Sequence, residues 1–240
     1  MAEQLSFDLP YRQALGREDF FVSPANALAV VMVESPMPWP GGRLVLSGPA
    51  GSGKTHLTHV WASRAGARIV QARDLREEDV PELARGPIAV EDVPEIAGDM
   101  AAQKALFHLY NLILSEGHAL LLTGRLDPAL WRLGLPDLQS RMQSAQHVAL
   151  SPPDDALLAA VVTKLFNDRQ LMPKPDVIPY LVSRMDRTFA AAGEMVERMD
   201  RAAMAEGRTL TRSLAARLLG TPTLELDEPD QPQTAGRQRD

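Results

Sequence analysis

Apolar and polar positions along this chain follow two regimes. Between residues 43 and 150 lie five short apolar runs: Arg43–Ser47 (RLVLS), Arg68–Gln71 (RIVQ), Pro87–Val90 (PIAV), Ala119–Thr123 (ALLLT) and His147–Leu150 (HVAL). Their shortness and near-continuous hydrophobicity predict strands buried on both faces. Between them run helix-like stretches, including Lys54–Arg64 and Met100–Glu116. In the second, Leu106, Leu109, Tyr110, Ile113 and Leu114 recur at three- and four-residue spacing and make one apolar stripe. Strands alternating with helices predict an α/β fold, a parallel sheet covered on both faces. After Ser151-Pro152-Pro153 the strand pattern stops. Four helical segments follow, at Asp154–Gln170, Asp176–Met185, Thr188–Ala205 and Thr211–Leu219, and predict a small all-helical domain.

Composition narrows the class without changing this outline. The chain has 240 residues and a formal net charge of −6, with 45% hydrophobic residues, an ordinary globular balance. No apolar run is long enough for a transmembrane helix, and the N-terminus lacks the layout of a secretory signal. The absence of cysteine excludes a disulfide scaffold, a Cys-ligated zinc site and thiol catalysis. The acidic balance argues against a protein that coats nucleic acid by itself. The expectation is a cytoplasmic protein with no membrane contact. Its expected divisions are an extended arm at 1–10, a core at 11–152, a helical unit at 153–220 and a disordered tail at 221–240, where three prolines and many charges leave little to bury.

The strongest chemical signal is Gly48-Pro49-Ala50-Gly51-Ser52-Gly53-Lys54-Thr55, a full G-x-x-x-x-G-K-[ST] match. It follows one predicted strand and opens a predicted helix, so its backbone N–H groups and the helix N-terminus converge on one anion. In this reading Lys54 supplies a point charge to phosphates, Thr55 offers a hydroxyl to Mg²⁺, and His56 extends the nucleotide-binding segment. A P-loop protein also needs an acid at the end of a neighbouring strand, and Glu91-Asp92 supplies two. The order is inverted, since the usual pattern places Asp first. Glu91 would reach the metal through water, and Asp92 is short for activating water. Nucleotide binding with weak or absent intrinsic hydrolysis is the expectation. His56 and His59 carry no accompanying glutamate or third ligand and read as packed or solvated side chains. Met195, Met199 and Met204 read as core or interface filler.

Further motifs carry a family resemblance. Leu120–Arg125 (LLLTGR) is a strand ending in a polar residue, Leu135–Arg141 (LPDLQSR) places an arginine before the fifth strand, and Met185-Asp186-Arg187 opens a helix. Phe20–Ala29 (FFVSPANALA) and Phe107–Asn111 (FHLYN) flank the P-loop and acidic segments. Residues 19–219 together resemble a DnaA-type AAA+ module. The resemblance implies an AAA+ αβα sandwich with a five-stranded parallel sheet and a helical lid. It also implies adenine-side contacts near Asn26, a sensor 1 at Thr123, a sensor 2 at Arg187 and an arginine finger at Arg141. For Thr123 a strand cap, and for Arg141 a plain surface arginine, are the other readings.

Within that group the chain is similar to the DnaA-related regulators rather than to the initiator. Gln4-Leu5-Ser6-Phe7-Asp8-Leu9-Pro10 resembles the short peptide by which such regulators bind the sliding clamp. Leu5, Phe7 and Leu9 suit an apolar cleft and Gln4 suits its polar rim. No initiator-type DNA-binding domain follows the lid. The resemblance implies recruitment by the DNA-loaded clamp, with DNA reached mainly through it, and stimulated hydrolysis of ATP on the initiator DnaA. It further implies ADP or ATP as ligand and a possible homodimer. An autonomous AAA+ ATPase such as a helicase loader is the alternative, and a P-loop small-molecule kinase a third. The lid arginines Arg184, Arg198, Arg201, Arg208, Arg212 and Arg217 form either a basic face or a solvated surface.

Overall fold

The computed structural model describes residues 22–206 and 209–220. The arm at 1–10 and the tail at 221–240 lie outside them. Five parallel strands, β1 (Arg43–Ser47), β2 (Arg68–Gln71), β3 (Ile88–Glu91), β4 (Leu120–Gly124) and β5 (Gln146–Ala149), form one sheet in the order β2-β3-β4-β1-β5. Each predicted strand is present. β3, β4 and β5 are displaced from the predicted runs by one residue, because polar Glu91, Gly124 and Gln146 continue or open a ladder that hydrophobicity alone does not mark.

Alternation along the strands sends side chains to two apolar layers. Val45, Ile88, Val90, Leu120 and Leu122 pack under α4 (Met100–Ser115), the short α3 (Val80–Leu83) and α5 (Pro136–Ser144). Leu44, Leu46, Ala89, Leu121 and Val148 pack against α1 (Ala27–Glu34) and α2 (Lys54–Ala65). That is the three-layer arrangement expected for strands hydrophobic on both sides. The predicted stripe of α4 holds in detail: Leu106, Leu109, Tyr110 and Ile113 are buried, and Asp99 caps the helix by accepting from the amides of Ala101 and Ala102 at 3.0 Å. Helices α1 and α5 are not anticipated by periodicity. α1 is apolar nearly all round, and α5 is mostly polar, so neither has a clear stripe.

A separate apolar core holds the helices after Pro153. α6 (Asp155–Asp168), α7 (Val177–Val182), α8 (Phe189–Glu206) and α9 (Arg212–Leu219) bury Leu158, Val162, Phe166, Leu181, Val196 and Met199 among themselves. Asp154 caps α6, accepting from the Leu157 amide at 2.8 Å. The Phe189 amide, at the start of α8, donates to the Gly51 carbonyl at 3.2 Å and ties this bundle to the phosphate-loop segment; the Ser151 amide, just after β5, donates to the Ala25 carbonyl before α1 at 3.1 Å. Among the described residues no helix is long and apolar enough to cross a membrane.

Candidate functional site

The site assembles at the C-terminal edge of β3, β4 and β1, where strand ends and the following loops meet. β1 ends at Ser47, and the chain turns through Gly48–Gly53 into α2. The glycines are required by space. A Cβ on Gly48 would stand 2.6 Å from the Leu150 carbonyl oxygen and 2.7 Å from the Ser52 hydroxyl. Gly51 has φ +71°, and a Cβ there would stand 2.5 Å from Thr188 Cβ at the lid. The loop is thus closed by β5 on one side and by the residue preceding α8 on the other.

Lys54 begins α2 and is only 7% exposed. Its ammonium donates to the carbonyls of Gly48 at 2.7 Å and Pro49 at 2.8 Å, lying across the loop. Burial pushes its pKa down; the carboxylates of Asp92 and Glu91 oppose that, while the nearby positive charge of Arg125 adds to it. A desolvated ammonium flanked by two acids forms a strong but incompletely solvated charge, suited to phosphate. The Ser52 hydroxyl is buried without a hydrogen-bond partner, again inside the loop.

Glu91 closes β3 beside Gln71 of β2. One carboxylate oxygen accepts from the Gln71 amide at 3.0 Å; the other is buried and has no partner. Asp92 follows in a left-handed conformation, φ 55°, with its backbone N–H donating to the Thr123 hydroxyl at 3.1 Å. Thr123 is buried at the end of β4, so its hydroxyl ties two neighbouring strand ends together. Gly124 leaves no room for a side chain, since a Cβ would meet the Trp131 ring at 2.6 Å. The close packing of the end of β4 against Trp131 and Pro94 therefore depends on that glycine.

The structure places Arg187 beside the P-loop through its neighbours: Thr188 covers Gly51, and Phe189 is bonded to it. Arg187 itself is exposed and pairs with Asp155 of α6 at 2.7 Å. Thr55 is exposed at the loop's exit and His56 half-buried behind it. Asn26 is buried at the start of α1, where its side-chain oxygen accepts from the Ser23 amide at 2.9 Å. Arg141 is held elsewhere. Its guanidinium lies over the rings of Phe107 at 5.0 Å and Tyr110 at 5.2 Å on α4, half-buried. Burial raises the Tyr110 pKa, and the charges of Arg43 and Arg141 work against that rise. Gln4 to Pro10 and Phe20-Phe21 lie outside the described residues.

Pattern reasoning missed Gln71, which positions Glu91, and Thr188, which roofs the loop. Neither belongs to a motif; only strand order and lid docking bring them in. It also missed that Ser47 is hydrogen-bonded at 2.7 Å to His147 Nε2 on β5, a link between the strand before the loop and its neighbour. The unpartnered Ser52 and Glu91 oxygens and the side-chain-free cradle at Gly48 and Gly51 fit a phosphate chain with an associated divalent cation. Lys54, Thr55 and Glu91 are the residues able to hold them. Among the described residues no group of three or more His, Cys, Asp or Glu is placed to hold a metal ion.

No family model matches the chain. Among solved structures, domain III of the Thermotoga maritima replication initiation protein DnaA superposes with a TM-score of 0.77 at 18% identity, covering 88% of this chain and 98% of that one. AMPPCP-bound DnaA from Aquifex aeolicus gives 0.63 at 19% identity, over 79% of this chain and 65% of that one. The Thermotoga maritima RuvB Holliday junction branch migration motor gives 0.61 at 15% identity, over 75% and 61%. The chain thus spans about two thirds of the Aquifex DnaA structure and somewhat less of RuvB. The parallel five-stranded sheet with its P-loop and helical bundle is the AAA+ αβα fold, the fold of DnaA domain III and RuvB.

Proposed function

We propose that this chain binds ADP or ATP with Mg²⁺ at the P-loop and acts as a regulator of replication initiation. The carrying observation is the convergence of Lys54, the unpartnered Ser52 and Glu91 oxygens and the Thr188–Phe189 roof on one glycine cradle. In this reading Lys54 and the loop amides from Gly48 to Thr55 hold the phosphates, Thr55 and Glu91 hold the cation, and Arg187 closes the site from the lid. Asn26 shapes the adenine side, with His56 behind the loop. Bound nucleotide supplies a polyanion that both the core and the lid grip. Likeness to AMPPCP-bound DnaA supports this ligand class.

The finer reading is a protein similar to Hda, the DnaA-related regulator. The sliding clamp recruits it through Gln4–Pro10, DNA is reached mainly by way of the clamp, and its core docks on DnaA. Arg141 then acts in trans on ATP held by DnaA. The aromatic platform of Phe107 and Tyr110 supports this, because a guanidinium already stacked loses less freedom when it engages a phosphate. An arginine finger supplied in trans is worth about 10³–10⁵ in rate. Intrinsic hydrolysis is weak: Glu91 is engaged by Gln71, and Asp92 is locked in a left-handed turn. The protein works in the cytoplasm on the nucleoid, and self-association through the Arg141 face is the accompanying expectation.

Reconstitution tests both halves. With initiator, clamp-loaded DNA and this chain, Arg141→Ala is expected to abolish conversion of DnaA-bound ATP to ADP while clamp binding persists. Joint substitution of Gln4 and Leu5 by Ala is expected to remove clamp binding. Undiminished conversion by the first variant, or clamp capture of the second, refutes the corresponding half. Fast turnover by the isolated chain would instead favour a helicase-loader ATPase.

A further inference from the structure

The lid gives most of its described arginines a partner. Arg187 pairs with Asp155, Arg169 with Asp200 and Arg201 with Glu197, while Arg198 donates to the Leu218 carbonyl. Two exposed arginines are treated differently. Arg184, just after α7, lies with its guanidinium carbon 4.2 Å from the centre of the Tyr180 ring, and Arg212, opening α9, lies 4.9 Å from the same centre. Neither forms an ion pair with a described residue. The Tyr180 ring is nearly buried, 8% exposed, so it is not itself an open stacking surface. It is the one ring within cation–π distance of both arginines among the described residues. The exposed Lys174 is anchored close by, its amide bonded at 3.0 Å to the Leu210 carbonyl, two residues before Arg212.

We propose that the Tyr180-stacked pair Arg184 and Arg212, with Lys174 beside them, forms a binding surface for the phosphodiester backbone of a single-stranded nucleic acid. Both guanidiniums are drawn to the π-system of one ring, at 4.2 Å and 4.9 Å from its centre, which keeps two positive charges on one patch of the lid. Arg184 spends one N–H on the Ser183 hydroxyl at 2.8 Å, and its remaining N–H groups and those of Arg212 suit phosphate oxygens. A strand that presents phosphate after phosphate can engage both guanidiniums at once. The outer faces of planar, ring-backed guanidiniums also suit stacking of a base. The chain's overall acidity limits the contact to this patch and makes it strongly salt-dependent. This surface lies on the lid and uses none of the residues assigned to nucleotide or to Arg141, so its failure leaves that reading untouched.

The test uses the full chain and a labelled oligo-dT probe, with fluorescence anisotropy read over a range of salt concentrations. Wild type is expected to bind at low salt. The double variant Arg184→Gln/Arg212→Gln is expected to weaken binding about tenfold or more and to flatten the salt slope by about 1.4, the value for losing two single-strand phosphate contacts. ATP binding, measured in parallel, is expected to stay unchanged. Because loss of the stacked arginines can disturb Tyr180, Arg184→Lys/Arg212→Lys is the companion variant: it keeps the charges and is expected to retain most of the slope with weaker binding. Absence of wild-type binding at low salt overturns the proposal, as does an unchanged affinity and slope in the Gln variant. A patch that instead captures a polyglutamate peptide, with no affinity for the oligonucleotide, assigns it to an acidic protein segment and equally overturns it.

Discussion

Lys54 shows how much chemistry a single buried charge carries. It is sunk at the mouth of α2, gives its protons to two carbonyls of its own loop, and is held charged against its burial by Glu91 and Asp92. Its pKa lies below the ordinary lysine range in the protein without nucleotide. The folded state therefore binds this proton less tightly than the unfolded chain does. The cost of keeping Lys54 charged is present in full at neutral pH and is relieved as pH rises through the lowered value toward the ordinary one, so this residue's contribution to stability increases with pH there. Nucleotide affinity runs the other way. Titrating ATP binding by calorimetry across the alkaline range should show affinity falling earlier than for an ordinary lysine. Lys54→Ala should weaken binding about 10- to 100-fold, the worth of a charged hydrogen-bonding group, and remove that pH dependence. A variant that binds as wild type would exclude Lys54 from the site. The motif makes Lys54 legible in the chain, but its low exposure and the charges of Asp92, Arg125 and Glu91 around it follow only from the fold.

Among the elements, the contact between the P-loop and the start of α8 joins two separate apolar cores. Gly51 supplies a carbonyl to Phe189 and, having no side chain, leaves room for Thr188. Gly51→Ala introduces both a positive-φ penalty and a steric conflict with Thr188, and is expected to cost about 1–3 kcal/mol in chemical denaturation. Thr188→Gly removes the side chain that is struck. In a double-mutant cycle the pair should lose less stability than the sum of the single changes. Strict additivity would mean that α8 does not rest on the loop in solution. The four lid helices and all five strands are anticipated from periodicity, because each carries a burial pattern that its own residues state. α1 and α5 are not, since one is apolar all round and the other mostly polar. Their helicity reflects the layer they cover more than any stripe of their own.

At the scale of the whole molecule, the candidate site sits on the seam between the sheet layers and the helical bundle. A ligand gripped from both sides stabilises the two units together. At a nucleotide concentration about 100 times its dissociation constant, the gain is about 2.7 kcal/mol, or a rise of roughly 5–10 °C in Tm for a protein of this size. Differential scanning calorimetry with and without Mg-ATP should show this rise as one shifted transition. In Lys54→Ala it should disappear. A transition that splits, with only the earlier part shifted, would show that the lid does not share in binding.

Taken by itself, the amino-acid order determines the strands, the lid helices and the phosphate loop, because each depends on local spacing: an apolar period, or eight residues in register. Tertiary structure alone decides the rest. Strand order brings Gln71 to Glu91 and Thr123 to Asp92; lid docking sets Thr188 over Gly51; and helix packing lays Arg141 on Phe107 and Tyr110, and Arg184 with Arg212 on Tyr180. Apart from Arg184 on Tyr180, one helical turn apart, these pairings join residues from different elements. Their energy comes from burial and shared partners, which no window along the chain contains.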